Sequence, residues 1–531
     1  MRLSPSAHVD SFCRDNLPPA AQWPRFRFDL PELDYPERLN CAEFLLDHAI
    51  GTWGPDRVCL VTPSERWTYG ELRRRANQVA QVLTEDFGLV PGNRVLLRGP
   101  NNPWLVAAWL GVLKTGCVAV TTMPLLRPKE IRALCDLTKP ELAVCDHRFA
   151  DDLSTGAPEL VVLSELDSMC EAKTGEFDAV RTAADDVALL APTSGTTGKP
   201  KATMHFHRDV LANADTFARY VLKPCEDDVF TGTPPLGFTF GLGGLVVFPM
   251  RFGASSLLLE RASPDELATA VAEHGVTVLF TAPTAYKALL ANGKAPALRT
   301  LRRCVSAGEH LPVEVWREFR EQTGLKIING IGGTELLHIF ISAADDDIRP
   351  GATGKAVPGF EAVVLDDDGE PVADGVAGRL AVRGPTGCRY LDDPRQQVYV
   401  QHGWNITGDT YVRDSDGYFW YQARNDDMIV SSGYNIAGPE VENVLLAHPD
   451  VVDVAVVGAP DERRGTVVKA YVVLRPGVRG DNAETAELQA FVKSNLAPYK
   501  YPRQVEYLAE LPRTSNGKLQ RYVLRQRAAG R

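Results

Sequence analysis

Residues 186–209, DVALLAPTSGTTGKPKATMHFHRD, decide the fold. An apolar run of strand length, Val187–Ala191, leads into Thr193, Ser194, Gly195, Thr196, Thr197, Gly198, Lys199 and Lys201, and a helical pattern begins near Asp209. Strand, small-residue loop and helix in that order form the unit of a parallel α/β sheet, whose ligands meet the loops at the carboxyl ends of the strands. A Walker loop is excluded, because Gly195 and Gly198 are only two residues apart and Lys199 precedes a proline. Small residues still let the backbone approach a ligand, hydroxyls and N–H groups wrap phosphate oxygens, and lysines offset their charge, so the expected guest is a polyphosphate. A plain surface loop would leave this density of Thr, Ser, Gly and Lys unexplained.

The same alternation surrounds this stretch. RVLLRG (94–99) leads into PWLVAAWLGVLKTG (103–116), and LAVCD (142–146), TVLFTAP (277–283) and TLRRCVSAG (300–308) repeat the pattern. Parallel α/β sheets are therefore expected over most of the first 400 residues. From about Gly351 short strands separated by Asp/Gly turns predict a smaller, mainly antiparallel subdomain. After residue 426 the chain predicts a small α+β unit. The expected division is 1–424, a hinge at 425–426, and 427–531.

Composition narrows the function. The 531 residues carry 57 Lys+Arg against 68 Asp+Glu, a net charge of -11, which disfavours nucleic acid and anionic membranes as partners and leaves small molecules. Ten cysteines without a C-x-x-C pair fit free thiols in a reducing compartment, hence a cytoplasmic expectation. The amino terminus lacks the apolar core of a signal peptide, and no apolar run is long enough to span a bilayer.

INGIGGTELLHIF (328–340) sets Thr334 and Glu335 behind a glycine-rich turn. A carboxylate beside a phosphate repels it unless a cation lies between, which makes Glu335 a candidate Mg²⁺ ligand; alone, the Thr-Glu pair is more commonly a helix cap. Asp409 and Arg424, in GWNITGDTYVRDSDGYFWYQARNDDMI (403–429), suit ribose hydroxyls and phosphate oxygens, although singly they are a turn residue and a surface charge. Lys518, in LPRTSNGKLQR (511–521), is by itself a solvated lysine near the terminus.

The order of APTSGTTGKPK, GIGGTE, TGD, ARNDD, SSGYNIAGPEVE and RTSNGK gives these residues meaning. Together they resemble the adenylate-forming superfamily of acyl-CoA synthetases, luciferases and peptide-synthetase adenylation domains, and RWTYGELRRRANQVAQVL (66–83) extends the likeness upstream. The resemblance implies a large amino-terminal domain and a mobile carboxyl-terminal domain, with ATP, Mg²⁺ and an acid bound between them and coenzyme A as co-substrate. It implies that Thr193 to Lys201 form the phosphate loop and that Thr334 and Glu335 contact phosphate and Mg²⁺. Gly308, Glu309 and His310, with Gly330, Ile331 and Gly332, would border adenine; Asp409 would hold the ribose and Arg424 the nucleotide. Lys518 would bridge the acid and the α-phosphate, Asp426 would be the hinge, and Ser432, Gly433 and Tyr434 would meet the pantetheine after the domain rotates. A homodimer is the family-level expectation.

TGTPPLGFTFGLGGLVVFPM (231–250) and GIGGTELLHIFISA resemble benzoate-CoA ligases and, more closely, 2-aminobenzoate-CoA ligases. That resemblance implies an aryl slot built from Phe238, Thr239, Phe240, Gly241, Gly333 and His338. An extended Phe-Thr-Phe would instead place both rings on one face of a strand as core packing. An ortho-amino group would need an acceptor, either a buried carbonyl or the Thr239 hydroxyl. Benzoate, salicylate, or loading of a carrier-protein thiol in place of CoA remain the alternatives.

Overall fold

The computed structural model describes residues 3–153, 159–194, 200–424, 427–431, 434–461, 465–496, 500–514 and 519–530. Its first sheet has six strands in the order Glu159–Val162, Leu142–Cys145, Arg94–Arg98, Val118–Thr122, Val187–Ser194 and Pro200–Phe206. All pairs are parallel except the last, where Thr193 faces Lys201 and Ser194 faces Pro200. The polar loop thus joins an antiparallel hairpin, and the helix that follows, His207–Asn213, starts only after a further strand.

The second sheet has nine strands, parallel at its centre through Phe230, Leu279, Cys304 and Ile327, and antiparallel at both edges. Helices Tyr69–Gln81 and Pro103–Lys114 pack on strands of both sheets within one apolar core. The first is held by a capping box between Thr68 and Glu71, the second by Asn102 accepting from the Leu105 amide with Pro103 in the first turn. Gly111 permits their contact, since a Cβ there would stand 2.6 Å from Val79 Cγ1.

Strand Arg94–Arg98 explains how a buried strand tolerates an arginine at each end. Arg94 pairs with Asp10 and, at 2.6 Å, with Glu141, while Arg98, with no exposed side chain, donates to the carbonyls of Met123 (2.8 Å), Pro124 (3.0 Å) and Leu126 (2.8 Å) and to Asp152 (2.6 Å). The loop after the neighbouring strand is therefore tied to the end of this one.

The antiparallel subdomain forms as expected, a five-stranded sheet including Glu361–Leu365, Ala377–Arg383, Trp404–Arg413 and Phe419–Arg424. Beyond it a hairpin, Ile429–Ser431 with Tyr434–Ile436, and a three-stranded sheet carry helices Gly438–Leu446 and Asn482–Asn495 around a core of Val441, Leu445, Val456, Val468, Leu488 and Val492, and helix Arg521–Ala528 packs through Leu524 on a second cluster with Ala455, Val457 and Tyr471. All ten cysteines are free thiols, and among the described residues no helix is long and apolar enough to cross a membrane.

Candidate active site

The hairpin next to the polar loop brings Lys201 to Glu335. The Lys201 ammonium lies 2.8 Å from Glu335 Oε1 and also donates to the Tyr390 hydroxyl, which donates to the same carboxylate oxygen at 2.5 Å. Tyr399 closes the cluster edge-on to Tyr390 at 5.8 Å. Burial favours the neutral acid, but the Lys201 charge and the two hydrogen bonds outweigh it and hold Glu335 below the usual carboxylate range. The other oxygen, Oε2, faces the open side of Gly333, where a Cβ would sit 3.4 Å from it. Glu335 thus keeps one oxygen for the lysine and presents a hard donor of the kind Mg²⁺ takes.

Thr334 is fixed from behind. Its carbonyl lies 2.8 Å from His205 Nε2, and that ring stands 3.9 Å from Asp209, which is fully buried and paired with Arg389. The Arg389 guanidinium lies over the Phe206 ring at 3.9 Å. After Leu336 the backbone reverses at Leu337, whose φ of 74 is left-handed for a branched side chain. That turn separates Glu335 from His338.

Asp409 and Arg424 meet as opposed residues of one strand pair, with Arg424 Nη1 3.5 Å from Asp409 Oδ1. Gly308 adopts a φ of 87 with open space around it, next to Glu309 and His310. The His310 ring stacks on Tyr421 at 5.2 Å and its Nε2 lies 3.4 Å from Asn443 of the carboxyl-terminal unit. Loss of water from the ring is the main reason its pKa falls to about 4, with Arg521 acting in the same direction. Gly330 and Gly332 sit where a Cβ would strike Ile339 (2.8 Å) and the His338 carbonyl (2.6 Å), so both are packing glycines of the strand Ile327–Gly332, which also carries Ile331.

The Phe-Thr-Phe segment is not extended. Phe238 precedes a helical turn, Thr239–Leu242, and stays 37% exposed, while Phe240 is buried. The chain passes from extended angles at Phe238 into the helical turn at Thr239, so the two rings do not share one face of a strand. Thr239 is buried, and Gly241 packs on the loop before it, its Cβ position 2.2 Å from the Pro235 carbonyl. Asn101 clamps that loop, donating to the Pro234 carbonyl (3.0 Å) and accepting from the Leu236 amide (2.8 Å).

His338 is 3% exposed and ringed by Phe217 (5.6 Å), Phe240 (5.5 Å), Phe248 (4.6 Å) and Phe280 (6.2 Å). Neither ring nitrogen makes a well-formed hydrogen bond, although the Phe240 backbone approaches one of them. Desolvation pushes its pKa down to about 3, against a weaker opposing effect of the Phe240 backbone. Sequence reasoning missed Gly243, which makes room for this imidazole, and Phe217, Phe248 and Phe280, which enclose it; the cluster Gly241, Gly243, Gly244 was the available signal. It also missed Tyr390 and Arg389. Leu242 and Val246 line a small apolar cleft together with Leu97, Trp109, Thr122 and Gly237.

Gly195 to Lys199, Asp426, Ser432, Gly433 and Lys518 lie outside the described residues, and of Tyr434 only the strand is described.

Residues 46–389 match the family of AMP-binding enzymes, and residues 440–518 match the AMP-binding enzyme C-terminal domain. The chain belongs to this family. It is similar to the benzoate-CoA ligase of Thauera aromatica, with 35% identity over 93% of this chain and 97% of the relative. Human mitochondrial acyl-coenzyme A synthetase ACSM3 is 34% identical, covering 93% and 91%. Among solved structures, the anthranilate CoA ligase AuaEII in complex with anthranoyl-AMP superposes with a TM-score of 0.90 at 32% identity, covering 94% of this chain and 99% of that one. A benzoate CoA ligase from Burkholderia xenovorans LB400 gives 0.85 at 31%, covering 92% and 100%. The chain is an AMP-forming CoA ligase of the aryl and acyl group, and that family uses ATP and CoA.

Proposed function

We propose that this ligase activates 2-aminobenzoate, converting acid and ATP to the aryl adenylate and pyrophosphate and then passing the acyl group to CoA with release of AMP. The observation that carries the choice of acid is His338, a neutral imidazole inside a wall of phenyl rings, with the Phe240 backbone near one nitrogen and no partner for the other. An ortho N–H satisfies such an acceptor, and a buried polar group left without its partner costs about 1–3 kcal/mol, enough to favour the amino acid over benzoate. The solved neighbour holding anthranoyl-AMP supports the same acid. The 35% identical relative named for benzoate supports the alternative, in which the ring alone is recognised.

A carboxylate is a poor acylating agent because its leaving group would be oxide; exchange for AMP supplies a good one. Lys201 and Lys518 would gather the negative charge that builds as carboxylate and α-phosphate meet, Asp409 would accept the ribose hydroxyls, and the Gly308–His310 turn would border adenine. Mg²⁺, held by Glu335 Oε2 and phosphate oxygens, would supply charge neutralisation for the triphosphate. For thiol entry, rotation at residues 425–426 would replace Lys518 by the Ser432–Tyr434 segment.

The test is a mass-resolved assay with ATP, Mg²⁺ and CoA offering 2-aminobenzoate, benzoate, salicylate and hexanoate separately, in the wild type and in His338→Leu. Preferred 2-aminobenzoyl-CoA formation that shifts towards benzoyl-CoA in the variant is expected. Equal use of 2-aminobenzoate and benzoate by both proteins would refute the assignment, and adenylate without thioester would transfer the second step to a carrier protein.

A further inference from the structure

The carboxyl-terminal unit holds a second cluster of chemistry-bearing side chains, remote in sequence from every motif above. His448 and Asp450 lie on the turn between helix Gly438–Leu446 and strand Val451–Asp461, and Glu484 lies in the first turn of helix Asn482–Asn495. One ligand atom from each of these three residues falls within 4.8 Å of the other two. His448 and Glu484 are 4% and 8% exposed. Glu484 Oε1 is buried with no hydrogen-bond partner.

The charges there are unbalanced. Among the described residues no ion pair joins a lysine or arginine to Asp450 or Glu484, and a third acid, Glu487, stands 3.6 Å from His448 Nε2. The helix N-terminus favours acids at Glu484, yet burial and the charge of Asp450 win and raise its pKa. Two acids beside one imidazole, with a carboxylate oxygen buried and unsatisfied, describe a place prepared for a cation.

The tautomer fits. The Asp450 amide donates to His448 Nδ1 across a long 3.3 Å, so Nδ1 carries the lone pair, which a cation takes by displacing that weak contact, and Nε2 carries the proton, facing Glu487. An imidazole that turns one nitrogen to a metal and its other N–H to a carboxylate is the usual outer-shell arrangement of zinc-type sites. Donors around a tetrahedral zinc stand about 3.3 Å apart, given bonds of about 2.0–2.1 Å, so the observed spread closes by side-chain torsions. One nitrogen with two carboxylate oxygens selects zinc-class cations over Mg²⁺, which takes oxygen alone.

We propose that His448, Asp450 and Glu484 form a binding site for a zinc-class divalent cation, with Glu487 as the outer partner of the imidazole. The site borders the seam between the domains: Val452 and Asp453, just beyond it, receive the ammonium of Lys287 from the large domain, the latter at 3.6 Å. A cation bound there ties the turn to helix Asn482–Asn495 and so stiffens the segment that docks.

The test uses the full-length, chelator-treated protein. Equilibrium dialysis against Zn²⁺ with elemental analysis should find one equivalent bound, with slower hydrogen exchange over residues 447–453 and no comparable effect of Mg²⁺. Glu484→Gln and His448→Gln should lose the equivalent, and Glu487→Gln, which leaves the ligands in place, should weaken binding roughly 10-fold or more. No stoichiometric zinc in the wild type overturns the proposal. So does zinc uptake unchanged in Glu484→Gln and Glu487→Gln, an outcome that would put the metal at another group such as the exposed Cys225.

Discussion

Gly243→Ala tests the architecture around His338 most directly. The new methyl would fall 2.4 Å from His338 Cδ2 and 2.9 Å from Nε2, against an ordinary carbon contact of about 3.5–4.0 Å. The ring cannot yield freely, since Phe217, Phe240 and Phe248 enclose it at 4.6–5.6 Å. Overpacking of this kind costs about 1–3 kcal/mol. Gly243 has helical angles, φ -62 and ψ -57, so alanine also gains up to about 1 kcal/mol of backbone entropy and propensity. The net expectation is a loss of about 0–2 kcal/mol in the wild type. With His338→Ala already in place the clash is gone and only the gain remains, so the same substitution should stabilise. The assay is a double-mutant cycle on denaturant unfolding, read alongside kcat/KM for the aryl acid, which should fall roughly 10- to 100-fold in Gly243→Ala as the imidazole shifts by about 1 Å. If Gly243→Ala has the same sign and size in both backgrounds, the proximity argument fails.

Three further outcomes follow from the same geometry. Lys201→Met leaves the Glu335 carboxylate buried without its ammonium, a loss of about 3–5 kcal/mol. Because the Glu335 pKa is depressed in the folded wild type, that stabilisation exists above the unfolded carboxylate pKa of about 4.3 and disappears as pH falls through the folded value. The gap between variant and wild type in unfolding midpoint should accordingly be wide at pH 7 and close on acidification. Asn101→Ala removes both bonds to the Pro234–Leu236 loop; KM for the acid should rise roughly 10-fold, as expected for about 1.4 kcal/mol, with KM for ATP unchanged. His207, His310 and His338 are held at about 3, 4 and 3 by burial, so between these values and an unfolded pKa of about 6.5 only the unfolded chain binds their protons, and stability falls as pH drops through that window. Proton uptake on guanidinium unfolding at about pH 5.5 should be lower by about 0.9 proton in His338→Gln than in the wild type.

The parallel sheets were legible because each central strand is a continuous apolar run followed by a loop and a helix, as in Val118–Thr122 and Val278–Thr281. Strand Pro200–Phe206 was not, because KATMHF lies between a polar loop and a helix and its pairing to Val187–Ser194 depends on a hairpin turn that periodicity does not encode. Glu335 and Lys201 could be named from their motifs, but Tyr390 joins them from 55 residues beyond Glu335, and no local pattern reports that distance. The pocket was the hardest part. Phe238 and Phe240 stood out because they are adjacent in sequence, whereas the rings that surround His338 come from several separate elements. Only the glycines at 241, 243 and 244 marked a helix about to be approached closely, and each makes room for a different neighbour.

The charged pairs that hold the carboxyl-terminal unit together are stronger than the polar contacts described across the seam, as the proposed rotation would require. Across the seam, Asn443 meets His310 at 3.4 Å, and Lys287 donates to the Val452 carbonyl and meets Asp453 at 3.6 Å, the last between partly exposed groups. A neutral hydrogen bond contributes about 0.5–1.5 kcal/mol, one involving a charged group about 1.5–3 kcal/mol and an exposed ion pair about 0–1 kcal/mol, so these polar contacts resist separation by only a few kcal/mol. Within the unit, Arg521 binds Glu442 through two nitrogens and reaches the Val456 carbonyl, and Arg525 pairs with Asp427. Asp427, the first described residue beyond the expected hinge, is thereby anchored to the last helix. On the other side, Arg424 is held in register opposite Asp409. The proposed rotation would give up the weak set and keep the strong one. If His310 borders adenine as proposed, its contact with Asn443 would make nucleotide binding and domain docking act on the same ring, and a ligand that moved His310 would shift the balance between the two proposed half-reactions.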